Sequence, residues 1–145
     1  VAVKDRNFPI LSKIPSNNFR EELIYKDTEI VFEPLKLSFR SFRRTEDYKI
    51  ERSCDCAHVD VALMKYPLEL RMVKTGDSFI PFGMRGRKKL SDFFIDLKLN
   101  AKQKANIFVL ASDNEIVWVI GHRVDNRYAV TDKTTEILEI KILRD

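Results

Sequence analysis

From Leu35 to Arg40 apolar and polar residues alternate: Leu35, Leu37 and Phe39 fall on one side, Lys36, Ser38 and Arg40 on the other. A period of two is that of a half-buried strand. Leu68, Leu70 and Met72 repeat it, and Ile30–Phe32, Val59–Leu63, Ile107–Leu110, Ile116–Ile120, Arg127–Val130 and Ile137–Ile142 are further predicted strands. Asp113-Asn114, between two apolar runs, predicts a hairpin turn, because both residues tolerate tight backbone angles. Pro34 and Pro67 mark strand starts or edges rather than strand middles. A different period runs through Leu90, Phe93, Phe94 and Leu97, whose spacing of three and four predicts one amphipathic helix over Lys88–Lys98. Asn100-Ala-Lys-Gln103 has the form of a capping box and predicts a second short helix. The stretch Asn17–Tyr25 admits a third. Strands dominate, so the expected fold is mainly β with a few short helices: a layered, sandwich-like α+β body with a helical layer on one side.

With 145 residues the chain is the size of one ordinary domain. Its longest uninterrupted apolar runs, Ile107–Ala111 and Ile116–Ile120, fall far short of the ~18 residues of a membrane helix, so no membrane partner is expected. Cys54 and Cys56 are too close for a disulfide framework, and no signal-peptide pattern opens the chain. A reducing cytoplasm is the expected location. The sequence starts at Val1 in mid-pattern, as an excised piece of something longer would. A composition break near Ser53–Ala57 separates an opening region, 1–57, from 58–145 within one expected domain.

The formal charge is +4, but its distribution matters more than its total. Between Arg85 and Lys104 stand Arg85, Arg87, Lys88, Lys89, Lys98, Lys102 and Lys104 against Asp92 and Asp96 alone. That stretch is net +5 and the remainder is net −1. A local positive patch suits a polyanionic partner, although a solvated helix face has the same composition.

Candidate chemistry is sparse. Four glycines, Gly76, Gly83, Gly86 and Gly121, cannot assemble a phosphate-cradling loop. Gly83-Met-Arg-Gly86 precedes the predicted basic helix and is either a phosphate seat or a plain turn. Cys54, Cys56, His58 and Asp60 alternate along one predicted strand face. Ligands stacked along one strand splay roughly 7 Å apart per step and cannot close around an ion without help from elsewhere, so no metal is expected. His122 and Asp125 could join Ser91 or Ser112 in a hydrolytic triad, but the spacing does not demand it; a loop held by Asp–Arg pairs is the simpler reading. Trp118 and most of the phenylalanines are expected in the core.

The segment Gly76–Lys98, together with Ile116–Thr131, resembles the C-terminal domain of bacterial tRNA(Ile)-lysidine synthetase. The parts that carry the resemblance are Pro67–Arg71, Gly76–Phe79, Gly86–Leu90, Val117–Val119, Gly121–Arg123 and Thr131–Thr134. It covers about residues 58–145 well and 1–57 more loosely. One departure is Asn100-Ala-Lys-Gln-Lys104, where many members have a proline followed four residues later by arginine. The resemblance implies the sandwich shared with a domain of the phenylalanyl-tRNA synthetase β chain. It also implies a parent ligase that uses ATP with magnesium to adenylate the wobble cytidine of isoleucine tRNA, after which lysine displaces AMP. The catalytic N-terminal domain and its pyrophosphate loop are absent from this sequence, so no catalytic residue and no cofactor are expected here. The implied role is to grip the tRNA near its acceptor stem, through Arg85, Arg87, Lys88, Lys89, Lys104, Arg123 and Arg127. Partners would be isoleucine tRNA and the catalytic domain, with room for a homodimer. The rival reading is an interdomain packing module that orients the catalytic domain without touching RNA.

Overall fold

The computed structural model describes residues 21–49 and 53–144. Strands β1 (Glu22–Ile24), β2 (Ile30–Val31), β3 (Leu37–Arg43), β4 (Cys56–Asp60), β5 (Leu68–Met72), β6 (Ser78–Phe79) and β7 (Lys88–Lys89) precede two helices, α1 (Leu90–Asp96) and α2 (Ala101–Ala105). Strands β8 (Phe108–Ser112), β9 (Glu115–Val119), β10 (Arg123–Val124) and β11 (Glu136–Ile142) follow. One antiparallel sheet has the order β1-β5-β8-β9-β10 and a second the order β2-β3-β11-β4, while β6 and β7 form a ribbon. The composition break near Ser53–Ala57 divides neither sheet: β1 pairs with β5 and β3 with β11 across it.

The two sheets face each other. Leu68, Leu70, Leu110 and Trp118 of the first meet Leu37, Phe39, Ala57, Val59, Leu138 and Ile140 of the second. On the far side of the first sheet, Val109, Ile116 and Val119 pack against Phe79 and against Leu90, Phe93 and Phe94 of α1. The order of layers is therefore helix, sheet, sheet, as the dominance of strands predicts. A register shift between Leu110 and Ala111 leaves Val117 as an extra residue in β9. The bulge puts Val117 and Trp118 in the same inter-sheet core although they are neighbours in sequence. Asp113 and Asn114 have φ of 51° and 67° and make the predicted hairpin between β8 and β9. Pro67 stands immediately before β5, and Pro34 lies between β2 and β3.

Several predicted elements are shorter or shifted. Lys88 and Lys89 pair with Phe79 and Ser78, so α1 starts at Leu90. Its end comes at Asp96 because Lys98 adopts a φ of 58°, leaving Leu97 outside the buried stripe. The capping box at Asn100 is present in both directions, with Gln103 N–H donating to Asn100 Oδ1 at 2.8 Å and Asn100 N–H to Gln103 Oε1 at 2.9 Å. The strand expected at Val59–Leu63 instead runs over Cys56–Asp60, because Asp60 Oδ1 accepts from the Ala62 N–H and starts a single 3-10 turn. Arg127–Val130 makes only one bridge, Ala129 to Val59. Of the stretch Asn17–Tyr25, residues 17–20 lie outside the described residues, and Glu22–Ile24 is strand rather than helix.

Two polar pairs are built into this frame. Arg71, 7 % exposed, holds Asp77 through two bonds of 2.9 and 3.2 Å, which links the Pro67–Arg71 stretch to Gly76–Phe79. On the outer face of the second sheet, Arg40, Glu139 and His58 stand in register across β3, β11 and β4. Glu139 accepts from Arg40 Nε at 3.2 Å and lies 3.0 Å from His58 Nε2. Burial pushes the Glu139 carboxyl up, but the His58 bond and the Arg40 and Lys141 charges outweigh it and hold the group below its ordinary value.

Arg71→Ala is expected to cost about 3–5 kcal/mol in urea unfolding, since it leaves a carboxylate without its partner in a buried setting. A paired Arg71→Met, Asp77→Leu variant is expected to cost far less; equal losses in the two would contradict this role. Glu139, with a folded pKa below its unfolded one, contributes stability that is complete above the ordinary carboxyl range and is lost as pH falls through the lowered value. Glu139→Gln is therefore expected to flatten the acid limb of a stability–pH profile, which an unchanged limb would refute.

Candidate nucleic-acid interface

Four predicted cations, Arg85, Arg87, Lys88 and Lys89, occupy one excursion of the chain between β6 and α1. The excursion begins with a turn closed by Met84 N–H on Pro81 O at 2.9 Å, in which Gly83 takes a φ of 88° that L side chains rarely adopt. Asp125, fully buried, fixes this turn to the chain after β10. Its Oδ2 accepts from the Ile80 N–H at 2.9 Å and its Oδ1 from the Arg127 N–H at 2.8 Å. Alongside it, Phe82 N–H donates to Val124 O at 2.9 Å and Asn126 N–H to Ile80 O at 2.6 Å. Asn126 Oδ1 accepts from Gly83 N–H at 3.2 Å. A loop that would otherwise be free is bonded at successive residues.

Arg87, Lys88 and Lys89 line a groove of about 590 Å³ with Met84, Asp92, Ile95 and Asp96. Within it Lys88 Nζ is paired with Asp96, and Arg87 Nη1 donates to Ser78 Oγ at 3.2 Å. Two carboxylates offset much of the charge inside the groove. The excess sits at its edge, where Arg85 is exposed between the groove-lining Met84 and Gly86. Among the described residues neither Arg85 nor Lys89 has an acidic partner. Arg123 is exposed and lies over the Phe93 ring of α1, 5.8 Å from its centre, which places it beside the same helix.

The other two predicted cations are placed differently. Arg127 points inward: Nε and Nη2 donate to Asp125 at 3.0 and 2.9 Å, and Nη1 to Glu115 at 2.8 Å. A guanidinium whose three nitrogens all meet carboxylates is a structural clamp, so Arg127 leaves the set of phosphate contacts. The Tyr128 hydroxyl also donates to Glu115; burial first, then that bond, pushes the Tyr128 hydroxyl up to about 12. Lys104 is exposed on α2 and does not line the groove. Its neighbour Lys102 lines a second groove, of about 990 Å³, with Lys36 and Arg144, and Arg144 is held by Asp55 at 2.8 and 3.1 Å. Lys36 reads in the sequence only as the polar side of a strand, and nothing local marks Met84 and Ile95, which give the first groove an apolar part.

The other candidate chemistry does not assemble. Both oxygens of Asp125 are taken up by Arg127 and backbone amides, and the His122 ring stands edge-on to Phe93 at 6.4 Å. Burial pushes the His122 imidazole down. Ser112 is buried and accepts from the Lys65 N–H at 2.8 Å. The turn Gly83–Gly86 is separated from the start of α1 by β7, so it forms no phosphate seat at a helix end. Trp118 is a core residue, as expected; Phe82 remains 40 % exposed beside the basic turn.

A family model described as the TilS substrate C-terminal domain matches residues 68–141. The chain is 38% identical over 141 residues to a tRNA(Ile)-lysidine synthase of Parabacteroides distasonis, covering 97% of this chain and 32% of that protein. It is 33% identical to a protein of the same name from Bacteroides thetaiotaomicron, over 97% of this chain and 30% of the relative. It thus spans about a third of the length of these relatives. A solved structure titled as a TilS C-terminal domain superposes with a TM-score of 0.69 at 18% identity, over 87% of this chain and all of the other, and supports the same mainly-β fold. No helix among the described residues is long and apolar enough to cross a membrane.

Asp125→Ala is expected to destabilise the chain by about 3–5 kcal/mol, because it strips a buried ion pair and leaves two amides without acceptors. Hydrogen exchange should then speed at Ile80 and Arg127. Arg85→Ala, on the exposed rim, is expected to stay within about 0.5 kcal/mol of the parent. A tolerated Asp125→Ala variant with unchanged exchange would remove Asp125 as the anchor.

Proposed function

Because this chain belongs to the TilS substrate C-terminal domain family, we propose that it is the tRNA-holding module of a tRNA(Ile)-lysidine synthase. The parent would join lysine to the wobble cytidine of isoleucine tRNA with ATP and magnesium, using a catalytic domain outside this sequence. The module itself would hold RNA and perform no chemistry. One observation carries this reading: Arg85, Arg87, Lys88 and Lys89 follow directly on the Pro81–Met84 turn, which Asp125 anchors at Ile80, and end in β7, which pairs with β6, with Arg123 beside α1. Double-stranded RNA offers a protein mainly its shape, phosphates and sugar hydroxyls. A stiff cationic edge suits that target because little side-chain and loop entropy is lost on contact. The acceptor stem is the segment of tRNA to which we assign it. Lys104, on α2, would add a peripheral contact.

A second reading rests on the apolar residues of the same region. Phe82, Met84 and Ile95 are 40 %, 41 % and 62 % exposed, which favours a protein face, and the groove would then dock the catalytic domain.

If four phosphates meet Arg85, Arg87, Lys88 and Lys89, the logarithm of tRNA affinity is expected to fall with the logarithm of salt at a slope of about −3. Replacing Arg87, Lys88 and Lys89 together by alanine should weaken binding and flatten that slope with the fold retained. A triple variant that titrates like the parent would exclude these residues as the contact surface and favour the docking reading.

A further inference from the structure

The row Cys54, Cys56, His58 lacks, in sequence, a ligand from another strand. The fold supplies one. Register places Glu139 of β11 directly opposite His58 of β4, and the ligand atoms of Cys56, His58 and Glu139 all lie within 4.8 Å of one another. All three side chains belong to buried residues, at 7 %, 8 % and 8 % exposure. Asp60 takes no part, since its oxygens accept from Ala62 N–H and from the Thr134 hydroxyl.

We infer that Cys56, His58 and Glu139 form a binding site for one zinc-like divalent cation, outside the groove lined by Arg87, Lys88 and Lys89. Zinc bonds of about 2.3 Å to sulfur and 2.0–2.1 Å to nitrogen or oxygen put tetrahedral ligands roughly 3.3–3.6 Å apart. The His58 Nε2 to Glu139 Oε2 separation of 3.0 Å needs to open only slightly, and the widest separation to close by about an ångström, within the reach of side-chain rotation. A thiolate with an imidazole selects a borderline-soft ion over magnesium or calcium.

The outer partners of such a site are already in place. Metal-bound histidines donate their second ring N–H, and ligating carboxylates are themselves hydrogen-bonded. Here the Tyr48 hydroxyl sits on His58 Nδ1, and Arg40 Nε holds Glu139 Oε1 at 3.2 Å, so the atoms not needed for the ion are engaged while Nε2 and Oε2 face each other. On binding, the Cys56 thiol releases its proton to solvent, and the hydrogen with which His58 Nε2 meets Glu139 leaves that nitrogen: in the neutral ring it is exchanged through solvent for one on Nδ1, whose N–H then donates to Tyr48 Oη. The thiolate and carboxylate then balance the two positive charges. The fourth position opens toward a cavity of about 280 Å³ that Cys54, Cys56 and His58 line together. Cys54, exposed at that cavity, is a helper rather than a required ligand.

The test is a cobalt(II) titration of the reduced 145-residue chain, followed by its visible bands and its thiolate-to-cobalt charge-transfer band, with zinc added at the end. Saturation at one ion per chain, loss of the bands on zinc addition, loss of the charge-transfer band in Cys56→Ser, and at least tenfold weaker binding in Glu139→Gln are expected. Cys54→Ser should keep the band with less than a tenfold loss of affinity. Far-UV circular dichroism establishes that each variant is folded, and the unaltered chain is decisive should Cys56→Ser fail to fold. Absence of a charge-transfer band in the unaltered chain, or a band that survives Cys56→Ser and vanishes in Cys54→Ser, would overturn the site.

Discussion

The Asp125 carboxylate is the constraint on which the candidate interface depends. It is fully buried, and burying a charge is unfavourable unless it is paired and hydrogen-bonded. The chain meets that condition from two directions: Arg127, two residues away, brings its guanidinium, and Ile80 brings a backbone amide from a segment 45 residues earlier. Satisfying one carboxylate therefore ties the end of the first sheet to the turn that leads into the basic residues. In this arrangement all three guanidinium nitrogens of Arg127 meet carboxylates, which keeps the turn in place. The cations that remain exposed depend for their positions on one that does not.

The fold was legible where local patterning matches burial. Alternation located β3 and β5, the spacing of Leu90, Phe93 and Phe94 located α1, and Asn100 with Gln103 defined the start of α2 through bonds only three residues long. It was less legible where long-range pairing or a side chain decides. Lys88 and Lys89 look like the first turn of a helix until Ser78 and Phe79 claim them as strand partners. Residues 127–130 look like a strand until Asp125 and Glu115 draw the arginine and tyrosine side chains away.

The candidate interface divides along the same line. Composition between Arg85 and Lys104 identified a basic stretch, because charge density is a local property. It could not separate the exposed Arg85 from the clamped Arg127, since that distinction requires the position of Glu115, twelve residues back on β9. Nor could it set Glu139 opposite His58, 81 residues apart. The Pro67–Arg71 and Gly76–Phe79 stretches, which carried the family resemblance, do have a physical reason for appearing together: Arg71 and Asp77 are two ends of one buried ion pair.

If an ordered cationic edge, positioned through the buried Asp125 carboxylate, meets the RNA, backbone amide NMR spectra of the labelled chain recorded during addition of isoleucine tRNA will register the contact residue by residue. Shifts and broadening concentrated at Arg85–Lys89 and Arg123 are expected, with β2 and β3 unmoved. Perturbations centred on β2 and β3, or spectra of the chain that stay indifferent to a tRNA to which the full-length parent responds, would contradict that contact.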